Sequence, residues 1–332
     1  MSAWQEYLES NRARLMEEWF ELLRIPSVSA LPEHAADVRR AGEWVADSKG
    51  YYRDAGFTKV VLIAGGPSAP PAETIVTQRK AMVGVSAPDL TAAAVLQGAP
   101  VVIIGAQQQR GPFCVMSLAK NPINTPQDMI GKKIGVQSSN IAIWRAFLRA
   151  NNIDPAKVTA VPVQFDPTPL TTGQVDGWLA NFNNEPIGLA AKGFPTKVFL
   201  FADHNYPLVG AVYVVRTDTL AQHRDAVSAL MTAEIKGWRG AIDDPAGAAQ
   251  LAVSKYGKSQ GLDLKEQTKV MEATIPLMVS DYTKKNGLFL MSDELIKQNI
   301  DALALSKVKI KAAKLFDMSL LHDLYAKHPE LI

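Results

Sequence analysis

Cysteine is nearly absent. Cys114 is the only one in 332 residues, so no intrachain disulfide can form and no cysteine-rich zinc module can be built. One cysteine does not fix the compartment, because many periplasmic proteins also lack disulfides. The five histidines (His34, His204, His223, His322 and His328) are scattered, and no two stand at i, i+4 to hold a metal on one helix face. An excess of either charge is missing. Lys+Arg is 35 against Asp+Glu 33, a formal charge of +2, which gives no electrostatic footprint for nucleic acid or for an anionic membrane surface. No stretch approaches the ~18 uninterrupted apolar residues of a membrane span. The opening Met1-Ser2-Ala3-Trp4-Gln5-Glu6 lacks the basic start and apolar run of a signal peptide, so the chain as written is expected to be cytoplasmic.

Hydrophobic residues make up 47% and charged residues 20%, enough to bury a full core over a length that suits two domains of ~150 residues. Residues 3–24 place Trp4, Tyr7, Leu8, Leu15, Trp19, Leu22 and Leu23 at helical spacing, and Pro26 ends that helix. A second helix is predicted to run unbroken over 33–54. From residue 57 short apolar runs alternate with helical stretches. Strands are predicted at 59–64, 82–85, 100–105, 134–137, 158–163, 177–180, 197–201 and 209–215, with helices at 71–79, 89–96, 139–150 and 184–192. This alternation is that of parallel sheets covered on both faces. Residues 217–328 read as largely helical.

Catalytic motifs do not assemble. His223-Arg224-Asp225 lies early in a polar helix with no second metal-ligand cluster and reads as a solvated face. Gly257-Lys258-Ser259 resembles the end of a phosphate loop, but Ala252 stands where the first glycine belongs and a helix precedes it. Neither Gly-x-Gly-x-x-Gly nor Gly-x-Ser-x-Gly occurs.

Two strings of motifs carry resemblances. YLESNRARLMEEWFELLRIPSVSALPEHAADVRRAGEWVAD, within residues 1–47, resembles the helical lead-in of zinc aminoacylases and dipeptidases. None of that family's metal-binding motifs follows, so its activity is not carried over. VADSKGYYRDAGF (45–57), GGP (65–67), GVSAPD (84–89), PVVIIGAQQQRGPFCVMSLAKNPINTPQDMIGKKIGVQ (100–137), VPVQFDP (161–167), GQVDGWLANFNNEP (173–186) and FADHNYPL (201–208) follow in order. They resemble periplasmic substrate-binding proteins of ABC importers, closest to the thiamine-pyrimidine-precursor and riboflavin binders, with aliphatic-sulfonate binders more distant. The chain therefore reads as a hybrid joined at 45–47.

The second resemblance implies an α/β fold of two lobes, periplasmic-binding-protein-like, with a helical N-terminal extension and the family's first strand missing. Leu22 to Val28 could replace that strand, but Pro26 argues against a central position. The expected organisation is 1–44 as the extension, 45–112 plus 212–332 as the first lobe, and 113–211 as the second. The implied partners are a small-molecule ligand and a membrane permease. No cofactor, no nucleic acid and a monomeric state are expected, as is a periplasmic or cell-surface location by resemblance.

Residues at strand exits are the binding candidates. Gly65 and Gly66 offer backbone N–H groups after an apolar run, or form an ordinary tight turn. Ser86 and Asp89 flank a strand-to-helix turn, with Asp89 read as the helix cap. Gln107, Gln108 and Gln109 follow a buried strand, and at least one is expected to line the hinge or cleft; Gln107 and Gln108 are the two selected. Asn140 opens a helix as a cap or ligand contact. Trp178, on a short strand, either stacks on a flat ring or fills the lobe core. Asn184 and Glu185 open a helix after the strand GWLA; in the resembled group the matching glutamate contacts the polar edge of the heterocycle, while a plain cap is the alternative. Tyr206 is a stacking or lid candidate. Cys114 reads as a small buried hydrophobe. One carboxylate among amides favours a neutral nitrogen heterocycle with N–H donors over an alkanesulfonate. The competing class is an enzyme, synthase-like or dipeptidase-like, and the missing metal motifs disfavour it.

Overall fold

The computed structural model describes residues 41–63, 69–258 and 261–332. The predicted helix at 3–24, the 22–28 substitute strand and the turn containing Gly65 and Gly66 lie outside these residues.

Two sheets organise the described residues. The smaller contains β1 (Val83–Ser86), β2 (Val101–Ala106) and β8 (Val212–Arg216) in the order β1-β8-β2. The larger contains β3 (Phe113–Leu118), β4 (Lys133–Gln137), β5 (Thr159–Val163), β6 (Gly177–Asn181) and β7 (Thr196–Leu200) in the order β5-β4-β6-β3-β7. The expectation of parallel sheets needs correction. Among the described strands β4 pairs in parallel fashion with β5 and β6, and Ile103 of β2 makes an isolated parallel bridge to Phe316. β8 runs antiparallel to both of its neighbours, and so does β3. The strand β3 was not predicted. The segment 59–63, predicted as a strand, has no regular structure, and Val61 is 67% exposed.

Apolar alternation explains the two faces of the larger sheet. Ile134, Val136, Val115, Leu179 and Phe199 belong to the main core, with Phe147 and Trp144 of the helix Ile141–Ala150. Cys114, Met116, Trp178, Ala180 and Leu200 form a second core with Leu189 and Leu277. Leu277 comes from the helix Leu264–Met278, so the C-terminal helical part packs against the larger sheet as well as the smaller one.

The helix Ala41–Lys49 passes through 45–47 without a break. It does not continue to 54, because Gly50 adopts φ 78° and a new short helix, Tyr51–Asp54, follows. Gly50 allows this left-handed turn without the Cβ clash that another residue would meet. The first helix packs on Arg224–Asp243 at a close approach. A Cβ on Gly237 would lie 2.1 Å from the carbonyl oxygen of Gly42.

Candidate functional site

The register brings particular strand ends together. In the smaller sheet, Ser86 and Ala106 both pair with Val212, so β1 and β2 finish at the same edge. In the larger sheet, Asn181 pairs with Phe113 and Leu200 with Cys114, while β4 runs parallel to β6. The carboxyl ends of β4, β6 and β7 therefore share one edge with the entrance to β3. The peptide 107–112 links the two edges, and 201–211 returns across them. Crevices outside the carboxyl ends of strands are where open α/β sheets bind ligands, because loops and helix N-termini converge there.

The two crossings are hydrogen-bonded to each other. Gln107 N–H donates to Ala211 O at 2.8 Å, and Gly210 N–H donates to Gln108 O at 3.3 Å. Their approach is close enough that a Cβ on Gly111 would lie 2.3 Å from Leu208 O. The return crossing is also held to the C-terminal part. The fully buried Asn299 accepts from Val209 N–H at 2.9 Å.

Several sequence-predicted residues do lie on these edges. Ser86, half-buried, ends β1. Asn140, half-buried, donates from Nδ2 to Gln137 Oε1 at 3.1 Å, and Gln137 in turn donates to Leu179 O at 2.9 Å. Asn184 precedes the helix Glu185–Ala191 without a side-chain cap. The Glu185 carboxylate folds back to accept from Asn181 N–H at 2.8 Å, which closes the turn after β6. Phe182 N–H reaches Pro112 O at 2.8 Å, so this turn abuts the outgoing crossing. Gln108 fills the space beside Gly210, whose missing Cβ would sit 2.0 Å from Oε1 of that glutamine.

Other candidates are placed elsewhere. Trp178 is 0% exposed, and its ring covers Gly135, where a Cβ would meet the ring at 2.7 Å. It is lobe core, and no ring face is open for stacking. Gln107 points inward, donating to Glu43 Oε1 at 3.3 Å, beside a buried cluster in which Tyr52 and Tyr213 donate to Glu234. Burial pushes the Tyr213 hydroxyl well above its usual pKa, and the nearby Glu234 adds to this. Tyr206 is 2% exposed and edge-on to Phe147 and Phe201, so it is a packed residue and not a mobile lid. Its hydroxyl pairs with Ser306 at 3.3 Å, and burial raises its pKa to about 12. Asp89 is not the N-cap, a place held by Ala87; it is the second residue of the helix Pro88–Leu96, in the first turn, and burial raises its carboxyl pKa. Cys114 is fully buried, and burial followed by the Glu185 charge pushes its thiol up.

Gln109 emerges more clearly than the sequence allowed. It is 4% exposed, its Nε2 donates to Ala106 O at 3.0 Å, and its Oε1 has no hydrogen-bond partner among the described residues. The three-glutamine run was the only signal for it. No group of three His, Cys, Asp or Glu able to hold a metal occurs among the described residues.

This arrangement of two sheets, double crossing and C-terminal helices can be compared with known proteins. Residues 38–248 match the family described as NMT1/THI5 like. The chain belongs to that family. It is 25% identical over 275 residues to the riboflavin-binding protein RibY of Chloroflexus aurantiacus, covering 80% of this chain and 76% of that protein. The periplasmic aliphatic sulphonate-binding protein SsuA of Escherichia coli superposes with a TM-score of 0.64 at 13% identity, over 84% of this chain and 87% of that one. The desulfurization enzyme DSZB superposes with a TM-score of 0.59 at 14% identity, over 86% and 96%. The fold is thus periplasmic-binding-protein-like, as the sequence resemblance implied. The metallopeptidase resemblance of residues 1–47 gains no support from these comparisons. No described helix is long and apolar enough to cross a membrane.

Proposed function

We propose that this chain is the substrate-binding component of an ABC importer and captures a small nitrogen heterocycle, of the thiamine-pyrimidine or riboflavin type, between its two lobes. One observation carries the ligand class. The facing edges present hydroxyl, amide and carboxylate groups, namely Ser86, Gln108, Gln109, Asn140, Asn184 and Glu185. The one arginine or lysine on those segments, Arg110, is already engaged by Asp203. The helices Pro88–Leu96, Ile141–Ala150 and Glu185–Ala191 begin there without side-chain caps, which would suit an anion, but no free basic side chain accompanies them in their first turns, and the carboxylate and amide acceptors suit the N–H edge of a neutral ring. The similarity to a riboflavin-binding protein supports the same class. The lobes are 45–112 with 212–332, and 113–211; a permease receives the ligand at a periplasmic or cell-surface location, and the protein works as a monomer.

Enzyme readings fit less well. The one thiol is buried with a raised pKa, which leaves little thiolate for nucleophilic chemistry. A thermal-shift panel with riboflavin, aminopyrimidines and alkanesulfonates, run beside dipeptide hydrolysis with added zinc, tests the proposal. Stabilisation by a heterocycle without turnover supports it; zinc-dependent cleavage, or stabilisation by sulfonates alone, contradicts it.

A further inference from the structure

Gln109 occupies a position that packing alone does not explain. It sits on the outgoing crossing, three residues beyond the end of β2 and three before Pro112, which receives Phe182 N–H from the turn closed by Glu185. The next residue, Arg110, ties the crossing to the C-terminal part through its N–H to Leu277 O at 3.1 Å. The backbone at this residue is therefore held between both sheets and the C-terminal helices.

The amide orientation is fixed by chemistry. Ala106 O can only accept, so the nitrogen must face it, at 3.0 Å. The opposite atom, Oε1, is then an acceptor, buried and without a partner among the described residues. A buried acceptor left unpaired costs roughly 1–3 kcal/mol, and native proteins rarely keep one without a use. Its two neighbours differ. Gln107 is spent on Glu43 inside the first lobe, and Gln108 packs against Gly210. Other buried side-chain atoms without a partner among the described residues include Thr77 Oγ1, Gln267 Oε1 and the indole nitrogens of Trp178 and Trp238, none of which belongs to the two crossings.

We infer that Gln109 is a specificity-determining residue of the binding site: its Oε1 accepts a hydrogen bond from a ring N–H or exocyclic amino group of the ligand. This rests on the proposed heterocycle reading and sharpens it. A carbonyl acceptor pairs with an N–H donor and is repelled by a sulfonate or phosphate oxygen, so the residue selects donors and rejects anions. The fixed nitrogen side, bonded to Ala106, keeps the acceptor from turning away.

The test compares ligands that differ by one donor. Riboflavin has a single ring N–H, which its N3-methyl derivative lacks; a 4-aminopyrimidine and its dimethylamino derivative make a second pair. An alkanesulfonate is the anionic control. Dissociation constants are measured by calorimetry for the parent protein and for Gln109→Met and Gln109→Leu, both of which remove the acceptor. In the parent, methylation of the ligand is expected to cost about 10- to 100-fold in affinity. In both variants the unmethylated ligand loses a similar factor, and the preference within each pair vanishes. The ligand-free variants are expected to melt within about 5 °C of the parent, because the bond to Ala106 is lost while an unpaired buried acceptor is removed. Variants that fold and keep the parent's preference overturn the role of Gln109 and leave the heterocycle reading intact. A parent that binds the sulfonate, or neither heterocycle, overturns both.

Discussion

Gly111→Ala perturbs the point where the two crossings come closest. The new Cβ would lie 2.3 Å from Leu208 O, a backbone atom that cannot rotate aside. An ordinary C···O contact is about 3.3 Å, so the crossings must part by roughly 1 Å. That movement strains the bonds between them, Gln107 N–H to Ala211 O at 2.8 Å and Gly210 N–H to Gln108 O at 3.3 Å. No relief is available on the other side, because Gln108 already fills the space beside Gly210. Overpacking of this kind costs about 1–3 kcal/mol, and a weakened hydrogen bond adds about 1. The less flexible unfolded chain returns about 0.4–1 kcal/mol. The net loss is about 2–3 kcal/mol, which for a chain of this size lowers the melting temperature by roughly 5 °C. Gly188→Ala is the contrast. Its Cβ meets only Glu266 Oε1, at 3.3 Å, the movable end of a long side chain. Inside the helix Glu185–Ala191 that exchange should stabilise by about 0.5–1 kcal/mol. Differential scanning calorimetry of the two variants decides the matter. A Gly111→Ala protein that melts at or above the parent would refute the tight double crossing.

Other expectations follow from the same packing. Tyr206 is held neutral by burial, with its pKa raised to about 12. The stability this represents is complete below pH ~10, where the phenol is neutral in both states, and is lost as pH rises from ~10 towards 12, because only the unfolded chain sheds the proton readily. Urea melts at pH 9, 10 and 11 should show this loss, and Tyr206→Phe should make it shallower; a variant with an unchanged slope would contradict it. Trp178→Phe should destabilise by about 2 kcal/mol, less than a full Trp→Ala truncation, and leave ligand affinity unchanged in a titration. Glu185→Gln replaces a charged acceptor of Asn181 N–H with a neutral one, so chemical denaturation should report a loss of about 1 kcal/mol even without ligand.

Much of this fold can be read from short apolar runs bounded by Gly, Pro and polar residues. Among the described residues, seven of the eight strands lie where those runs predict them, and the helices Ile141–Ala150 and Glu185–Ala191 follow their periodicity. β3 escapes although Phe113–Leu118 is buried much like β2, because its mixed Phe-Cys-Val-Met-Ser-Leu run is a weaker β signal than the Val and Ile run of β2. The segment 59–63 shows the converse, since an apolar β-like run is a weak prior that tertiary context overrides. Strand direction is also invisible locally, so the antiparallel placement of β8 and β3 depends on where the chain crosses between lobes. The site candidates divide by depth. Trp178 and Asn184 lie six residues apart, yet one is three residues inside a central strand and the other is beyond its end. Gln107, Gln108 and Gln109 have the same chemistry, and only the path of the crossing sends one to Glu43, one to Gly210 and one back to Ala106 O.

The most direct test of the central claim is calorimetric titration of the full chain with riboflavin, a 4-aminopyrimidine and an alkanesulfonate under identical conditions. Saturable one-to-one binding of one of the two heterocycles, with none of the sulfonate, is the predicted result. Tight sulfonate binding with no heat from either heterocycle would contradict it.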